Sequence, residues 1–399
     1  MTEVADAQAM ILTNMPTFEA VRLPLEGCTG RVLAEAALAE RDQPPFDRVT
    51  MDGIAIAYDD LNTLGRSFEC IGTQAAGAAA MRLTKPGQCL EVMTGAMRPA
   101  GADTIVPVER LSSEGSRRTI HNDASVAPGQ FIHARGSDGK QGQQLLAAGL
   151  RLTAPEIAVL ASAGYATVAV AAQARVAVAS TGDELVGLEE AIEPHQIRST
   201  NDLAIAASLE RASVAQVTRT RLGDDEKQLL ESIDRLHADH DVLILSGGVS
   251  MGQFDFVPAV LERLGAQLVF HKIQQKPGRP MWFGLSRDGK PIFALPGNPV
   301  STLVCATRYI LPAMKQACGL NPEANEIAAL TEDVAAPVHL TYFIPVKISW
   351  SDSGQALAAP RPTNTSGDFI SLAGTDGVLE LPKGREVHPA GTAGRVWRW

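Results

Sequence analysis

The stretch that most restricts the fold is Asp241-Val242-Leu243-Ile244-Leu245, followed directly by Ser246-Gly247-Gly248-Val249-Ser250-Met251, with Gly252 and Asp255 close behind. An apolar run of this length reads as a parallel strand buried on both faces. Phe256 to Leu264 reads as a short helix. A strand, a glycine-rich loop and a helix in that order build an anion seat. Backbone N–H groups point inward where no side chain blocks them, and the helix start adds partial positive charge. Two adjacent glycines cost backbone entropy on folding, so the pair calls for a reason. The expected ligand is a phosphate or another oxyanion. No Gly-Lys-Ser/Thr follows, which excludes a Walker A loop, and no strand is followed by G-x-G-x-x-G.

Around this stretch the chain alternates strands and helices. Arg175 to Ser180 reads as a strand, 201–211 as a helix, and Gln216 to Arg221 as a strand. Residues 225–237 form an amphipathic helix, with Leu229, Leu230, Ile233 and Leu236 on one face. Leu268 to Lys272 and Met281 to Gly284 read as a β-excursion, Ile292 to Leu295 as a strand, and 299–317 as one long helix closed by Gly319. This is a doubly wound α/β domain, whose ligands bind at the strand C-terminal ends. Upstream, 3–13 reads as a helix with Val4, Ala7, Met10 and Ile11 on one face, and Thr29 to Ala39 as a second. Pro44-Pro45 then breaks the pattern and marks a domain boundary. Residues 46–140 carry short β runs between Gly, Pro and Asp turns, a small all-β insertion. Thr153 and Glu156 form a capping box for a helix that stops at Gly164. After about residue 325, short strands return as a small β-barrel-like domain.

Composition excludes several classes. Across 399 residues the net charge is −10 and aromatics are 5%, which argues against a nucleic-acid surface or a base-stacking platform. The five cysteines form no C-x-x-C pair, so neither a zinc site nor a disulfide framework is expected. The start Met-Thr-Glu-Val-Ala-Asp lacks the basic region of a signal peptide, and no apolar run reaches membrane-spanning length. A cytoplasmic protein without a membrane partner is expected.

Four loops fall where an α/β site belongs: Ser180-Thr181-Gly182-Asp183-Glu184-Leu185, Leu222-Gly223-Asp224-Asp225, the Ser-Gly-Gly loop through Asp255, and Leu295-Pro296-Gly297-Asn298-Pro299. Glu184, Asp224 and Asp255 are hard oxygen donors suited to Mg²⁺, which keeps several waters and bridges phosphate oxygens. Lys276 and Arg279 supply cations to balance an anionic ligand. Each position also has a purely structural reading. Asp255 and Asp224 can cap the helices that follow them, Asn298 with Pro299 fits an N-cap and first helical position, and Thr181-Gly182 fits a tight turn.

The chain resembles the molybdopterin molybdenumtransferase family, the bacterial MoeA proteins and the E-domain of eukaryotic gephyrin. The resemblance rests on Pro44-Pro45-Phe46-Asp47, Met51-Asp52-Gly53, Met93-Thr94-Gly95-Ala96, Arg135-Gly136 with Asp138, and Ser180-Thr181-Gly182-Asp183-Glu184-Leu185. It continues through Ser246-Gly247-Gly248-Val249-Ser250 with Gly252 and Asp255, Lys276-Pro277-Gly278, and Leu295-Pro296-Gly297-Asn298-Pro299-Val300. These motifs occur in order over nearly the whole chain. The resemblance implies a homodimer of four-domain subunits: a discontinuous linker domain (14–42 and 141–170), an all-β insertion domain (43–140), a molybdopterin-adenylyltransferase-like α/β domain (1–13 and 171–325) and a C-terminal β domain (326–399). It implies insertion of molybdenum from molybdate into adenylylated molybdopterin, with release of AMP in the presence of Mg²⁺, in a cleft formed across the dimer. On that reading Glu184, Asp224 and Asp255 hold the metal. Thr181, Gly247, Gly248 and Ser250, with Lys276 and Arg279, hold the phosphates. Pro296 and Pro299 shape the mouth, and Ser366 contributes from the C-terminal domain. Asp52, Thr94, Arg135 and Asp138 act from the other subunit. Other enzymes of the same cofactor's synthesis are expected partners. Two other functions compete: an adenylyltransferase on the same α/β core, and a non-enzymatic dimeric scaffold.

Overall fold

In the computed structural model the described residues are 1–249 and 256–399. They form two compact units. One comprises Met1–Glu35, Ala148–Ala154 and Thr167–Trp399; the other comprises Ala36–Ala147 and Pro155–Ala166.

The first unit is built on a six-stranded sheet. Its elements are β1 (Ala174–Thr181), α1 (Asn201–Arg211), β2 (Ala215–Leu222), α2 (Glu226–Asp239), β3 (Val242–Ser246), α3 (Val257–Arg263), β4 (Gln267–His271), β5 (Trp282–Leu285) and β6 (Pro291–Leu295). The strand order is β2-β1-β3-β6-β5-β4. The first four run parallel, while β5 is antiparallel to both of its neighbours. The excursion expected at Leu268 to Lys272 and Met281 to Gly284 is thus the edge of this same sheet. Because β1 has β2 on one side and β3 on the other, the winding reverses between β1 and β3, which makes the switch point where such folds bind ligands. Alternate residues serve opposite faces, as a two-sided sheet requires. Val176, Val178, Val242 and Ile244 pack with Ile205 and Leu209 of α1 and with Val4, Ala7 and Ile11 of the helix Val4–Asn14. Ala177, Ala179, Leu243 and Leu245 pack with Leu229, Ile233, Val257 and Val260 of α2 and α3.

The helix expected over 299–317 is interrupted. It comprises α4 (Pro299–Cys305), a π-helical turn Ala306–Ile310, and α5 (Leu311–Ala317). Pro312 lacks an N–H, and its ring crowds the carbonyl four residues back, at Arg308. The widened turn relieves that conflict. The chain then forms β7 (Ile327–Leu330), β8 (Thr341–Trp350), β9 (Ala356–Pro360), β10 (Gly377–Leu381) and β11 (Ala393–Arg398). These close into a barrel of order β8-β9-β7-β11-β10, with β10 pairing back onto β8. Ile344, Val346, Leu379 and Leu381 fill its interior.

The second unit contains a six-stranded sheet, built from Thr104–Pro107, Gly53–Ile56, Gln88–Val92, Ser67–Gln74, Arg117–Ile120 and Leu111–Glu114 in that spatial order. It is not wholly β, since Tyr58–Leu64 is helical.

The helix expected over Thr29 to Ala39 does not form. Gly30 has φ +81°, Val32 and Leu33 bridge to Arg151 and Val170, and Ala37–Leu38 pairs with Gln144–Leu146. Backbone pairing with distant segments overrides the helix preference of the alanines there.

Arg308 ties the barrel to the α/β core. Its side chain is 5% exposed and pairs with Glu380 at 2.9 Å. It also donates to Gln8 at 2.7 Å and lies 4.2 Å over the Trp397 ring, while Trp397 Nε1 donates to Glu380 at 2.7 Å. Replacing Glu380→Ala strands a buried guanidinium, and we expect a loss of ~3 kcal/mol in equilibrium urea unfolding. An unchanged midpoint would contradict this role for the pair.

Candidate functional site: the strand-end crevice

The parallel strands end in register. Ser180 lies opposite Ser246, Ser246 opposite Leu295, and Thr181 opposite Leu222. The loops that follow therefore start at one level. Gly247 N donates to Leu295 O at 3.1 Å, and Gly182 N to Leu222 O at 3.1 Å.

Gly247 is required here by contact as well as conformation. Its φ is +105°, and a Cβ would sit 2.5 Å from the Thr181 carbonyl oxygen and 2.6 Å from Thr181 Oγ1. Gly248, at φ +65°, would collide with Val257. The Ser180 and Thr181 hydroxyls are buried and have no hydrogen-bond partner among the described residues. Buried hydroxyls are normally satisfied, so two left open beside a bare glycine backbone fit a polar ligand seated there.

Carboxylates gather at the ends of β1 and β2. Asp183 N donates to Asp224 Oδ2 at 3.3 Å, and Asp224 N donates to Asp183 Oδ1 at 3.0 Å. Glu184 turns back over Gly182, its Oε2 only 2.5 Å from where a Cβ would stand. Neither Asp183 nor Glu184 has a salt-bridge partner among the described residues. Glu184 and Asp224 thus flank one bridge between β1 and β2, and these oxygen donors suit Mg²⁺. Among the described residues no group of three metal-type ligands is assembled. Asp255, the third expected ligand, and Ser250 lie outside the described residues. Asp224 does not cap the helix after it; Asp225 does, accepting from Gln228 N at 2.8 Å.

The far wall is the β6–α4 loop. Pro296 is buried, and Pro299 begins α4. Asn298 stands at the N-cap position, but its side chain does not cap the helix. Its amide donates to Ser366 Oγ at 2.7 Å, and Val300 N is satisfied by the Ser366 carbonyl at 3.0 Å. Ser366 thereby joins the barrel segment to this loop. Sequence reasoning missed two residues here. Asn201, at the start of α1, donates to Ser246 Oγ and to Gly297 O, both at 2.8 Å. The Thr302 hydroxyl donates to the Pro296 carbonyl. An asparagine at the first position of a helix leaving the sheet was the available signal for Asn201.

Lys276 and Arg279 are exposed. Gly278, between them, packs against Ser301 and Cys305 of α4, and buried Gln275 holds the Pro277 carbonyl at 2.9 Å. The Lys276 segment therefore lies against α4 within a turn or so of Pro299. Arg279 Nε instead contacts Met1 Sδ at 3.1 Å, and no described contact joins it to the strand-end loops.

The remaining candidates belong to the second unit. Asp52 Oδ1 accepts from Thr94 N at 2.6 Å and Thr94 Oγ1 at 2.8 Å, and these two donors hold its carboxyl below the usual range. Arg135 pairs with Asp42 at 2.8 Å, and Asp138 with His133 at 2.7 Å. His133 in turn lies 3.2 Å from Arg48. The strand Arg48–Val49 connects these groups, pairing with Ile132–His133 and receiving Gly95 N on Val49 O at 2.8 Å.

Glycine-rich strand ends at the switch point of a doubly wound sheet, with carboxylates and unpartnered hydroxyls beside them, define a doubly wound α/β protein with its candidate site at the strand C-terminal ends. Comparison with known proteins narrows the class. Residues 2–164 match the MoeA N-terminal region (domain I and II), 177–316 a probable molybdopterin binding domain, and 328–399 the MoeA C-terminal region (domain IV). A molybdopterin molybdenumtransferase of Synechocystis sp. is 38% identical over 400 residues, covering 100% of both chains. One from Nostoc sp. is 31% identical over 98% of this chain and 92% of its own. The crystal structure of a molybdopterin biosynthesis MoeA protein from Pyrococcus horikoshii OT3 superposes with a TM-score of 0.84 at 26% identity, over 100% of each chain. The chain belongs to the MoeA family of molybdopterin molybdenumtransferases.

Two glycines of these loops differ in what a side chain would cost. Gly247→Ala should cost about 2 kcal/mol or more in thermal or urea unfolding, through both the collision and the positive φ. Gly297→Ala, whose Cβ would meet nothing closer than 3.5 Å, should cost far less. Equal losses would contradict the packing described. For Asp52, Thr94→Val keeps the backbone donor and removes the hydroxyl. Because a lowered carboxyl pKa reflects a favoured anion, the Asp52 pKa should rise in a carboxyl NMR titration; an unmoved titration would refute the contribution of the hydroxyl.

Proposed function

We propose that this protein inserts molybdenum from molybdate into adenylylated molybdopterin, releasing AMP with Mg²⁺ present, as a cytoplasmic homodimer. The observation that carries this reading is the crevice itself: bare glycine backbone at Gly247 and Gly248, open hydroxyls at Ser180 and Thr181, and carboxylates beside them. A multiply charged nucleotide suits the first two. The carboxylates repel such a ligand unless a divalent cation lies between, which is the situation phosphoanhydride cleavage requires.

Gly247, Gly248 and Ser250 hold pyrophosphate or pterin phosphate through the loop, and Thr181 donates its hydroxyl. Glu184 and Asp224, with Asp255, hold Mg²⁺, which neutralises charge on the phosphate oxygens when bound. The same carboxylates orient water or a molybdate oxygen. Lys276 and Arg279 supply countercharge. Pro296, Pro299 and Ser366 keep the mouth in shape. Asp52, Thr94, Arg135 and Asp138 enter from the second subunit, where the lowered pKa of Asp52 keeps it an anion that accepts hydrogen bonds.

The assay is release of AMP from adenylylated molybdopterin on addition of molybdate and Mg²⁺. Glu184→Ala and Asp224→Ala should each lower turnover about a hundredfold or more, with unfolding midpoints unchanged. ATP should not be consumed. Normal turnover by either variant sinks its assignment, and consumption of ATP with free molybdopterin would make the protein an adenylyltransferase instead.

A further inference from the structure

Away from the crevice, a cavity of about 670 Å³ opens where α5, the end of α1 and β11 meet. Its volume lies in the range that takes a small organic ligand, roughly 300–1,000 Å³. Five cationic side chains line it: Arg151, Arg211, Lys315, Arg395 and Arg398. Two side-chain carboxylates do, Glu323 and Glu326. Lys315 is paired with Glu323 at 2.7 Å and Arg398 with Glu326 at 2.6 Å. Arg211 donates to a main-chain oxygen of Trp399 at 2.6 Å, and Arg151 to the Gly30 and Ala212 carbonyls at 2.9 and 2.8 Å. The two peptide carbonyls satisfy Arg151 but do not neutralise its charge.

Arg395 is different. Its side chain is partly buried and stacked 3.6 Å over the Trp397 ring, and that side chain makes no hydrogen bond or salt bridge to a described residue. Burial, reinforced by Arg308 nearby, pushes its pKa down. The nearby carboxylate of Glu380 is engaged by Arg308 and Trp397. An arginine presents five donors in a fixed fork, and here none has a protein acceptor among the described residues. A second, independent observation points the same way. Thr307, 2% exposed, lines this cavity with its hydroxyl buried and unpartnered among the described residues. It lies in the π-helical turn, a distortion often found where a helix serves a ligand.

We propose that this cavity is a second ligand site, separate from the crevice, for a small organic anion. Arg395 holds its oxyanion head, Thr307 adds a neutral hydrogen bond, and the apolar walls at Leu12, Leu311 and Leu320 take a flat body.

Calorimetry on the full chain tests this with naphthalene-2-carboxylate as probe, naphthalene-2-methanol as its neutral counterpart, and inorganic phosphate as a head group without a body. The carboxylate should bind with Kd below about 1 mM, and the alcohol and phosphate at least ~10-fold more weakly. Arg395→Gln should weaken carboxylate binding ~10-fold or more, and Thr307→Val about threefold, with molybdate-dependent turnover unchanged in both. If Arg395→Gln does not fold, Thr307→Val, nearly isosteric, still decides the question together with the neutral probe. The proposal is overturned if the carboxylate does not bind, if the alcohol binds equally well, or if folded variants bind it as wild type does.

Discussion

Everything at the crevice depends on the register of β1, β3 and β6. With Ser180, Ser246 and Leu295 at one level, the turns beyond them meet instead of stepping past each other. Only then does Gly247 lie against the Thr181 carbonyl, with Gly297 so placed that a Cβ on it would stand 3.5 Å from Gly247 Cα. The register is enforced by burial. Val242 to Ser246 are all buried, with alternate side chains in two different cores, and a slip of one residue would exchange every one of them. Each large apolar side chain buried in β3 is worth roughly 1.5–3 kcal/mol. A glycine in place of alanine costs about 0.5–1 kcal/mol. The strand's burial therefore outweighs the entropy of the two glycines that leave the backbone open.

The barrel is a structural partner of the crevice, not a bystander. Ser366 supplies the N–H acceptor that Val300 needs and receives the Asn298 amide, so the start of α4 is capped by a different domain-sized element of the same unit. At its middle, in the π turn, the stack of α4, π turn and α5 is held to the barrel by Arg308 and Glu380. Strand Gln275–Lys276 adds a third tie, pairing with Thr341 and Tyr342 of β8. A half-buried carboxylate held by a guanidinium and an indole N–H fixes direction as well as position, which apolar packing alone does not.

The α/β core was legible in the sequence because its signals agree. Long apolar runs, a 3.6-residue stripe in α2 and turn residues at each strand end all indicate the same architecture, and the observed elements differ by only a residue or two. Legibility failed where a distant partner decides. Thr29 to Ala39 has helix-compatible spacing, but its backbone partners are Arg151, Val170 and Gln144–Leu146, more than a hundred residues on. Asn298 and Asp224 occupy positions next to helices that suggest capping, yet Ser366 and Asp225 perform it. Asn201 is invisible to motif reading because its function is to join Ser246 to Gly297, residues that only the folded sheet brings together.

The strand-end crevice and the cavity beside β11 differ in charge. At the crevice the unpartnered groups are the neutral hydroxyls of Ser180 and Thr181, and the nearby side chains Asp183, Glu184 and Asp224 are acidic. On the proposed function, a cation brought with an anionic ligand would offset these carboxylates. The cavity beside β11 carries its positive charge in the protein, on Arg151 and Arg395. A ligand that suits one therefore lacks the charge balance for the other. The separation also explains why the intervening helical stack tolerates a π turn: α4 must present Pro299 and Thr302 to the crevice, while the next turn must place Thr307 and make room for Pro312. A straight α-helix has a single 3.6-residue phase and cannot absorb Pro312, and one widened turn resolves the conflict without breaking the chain's path.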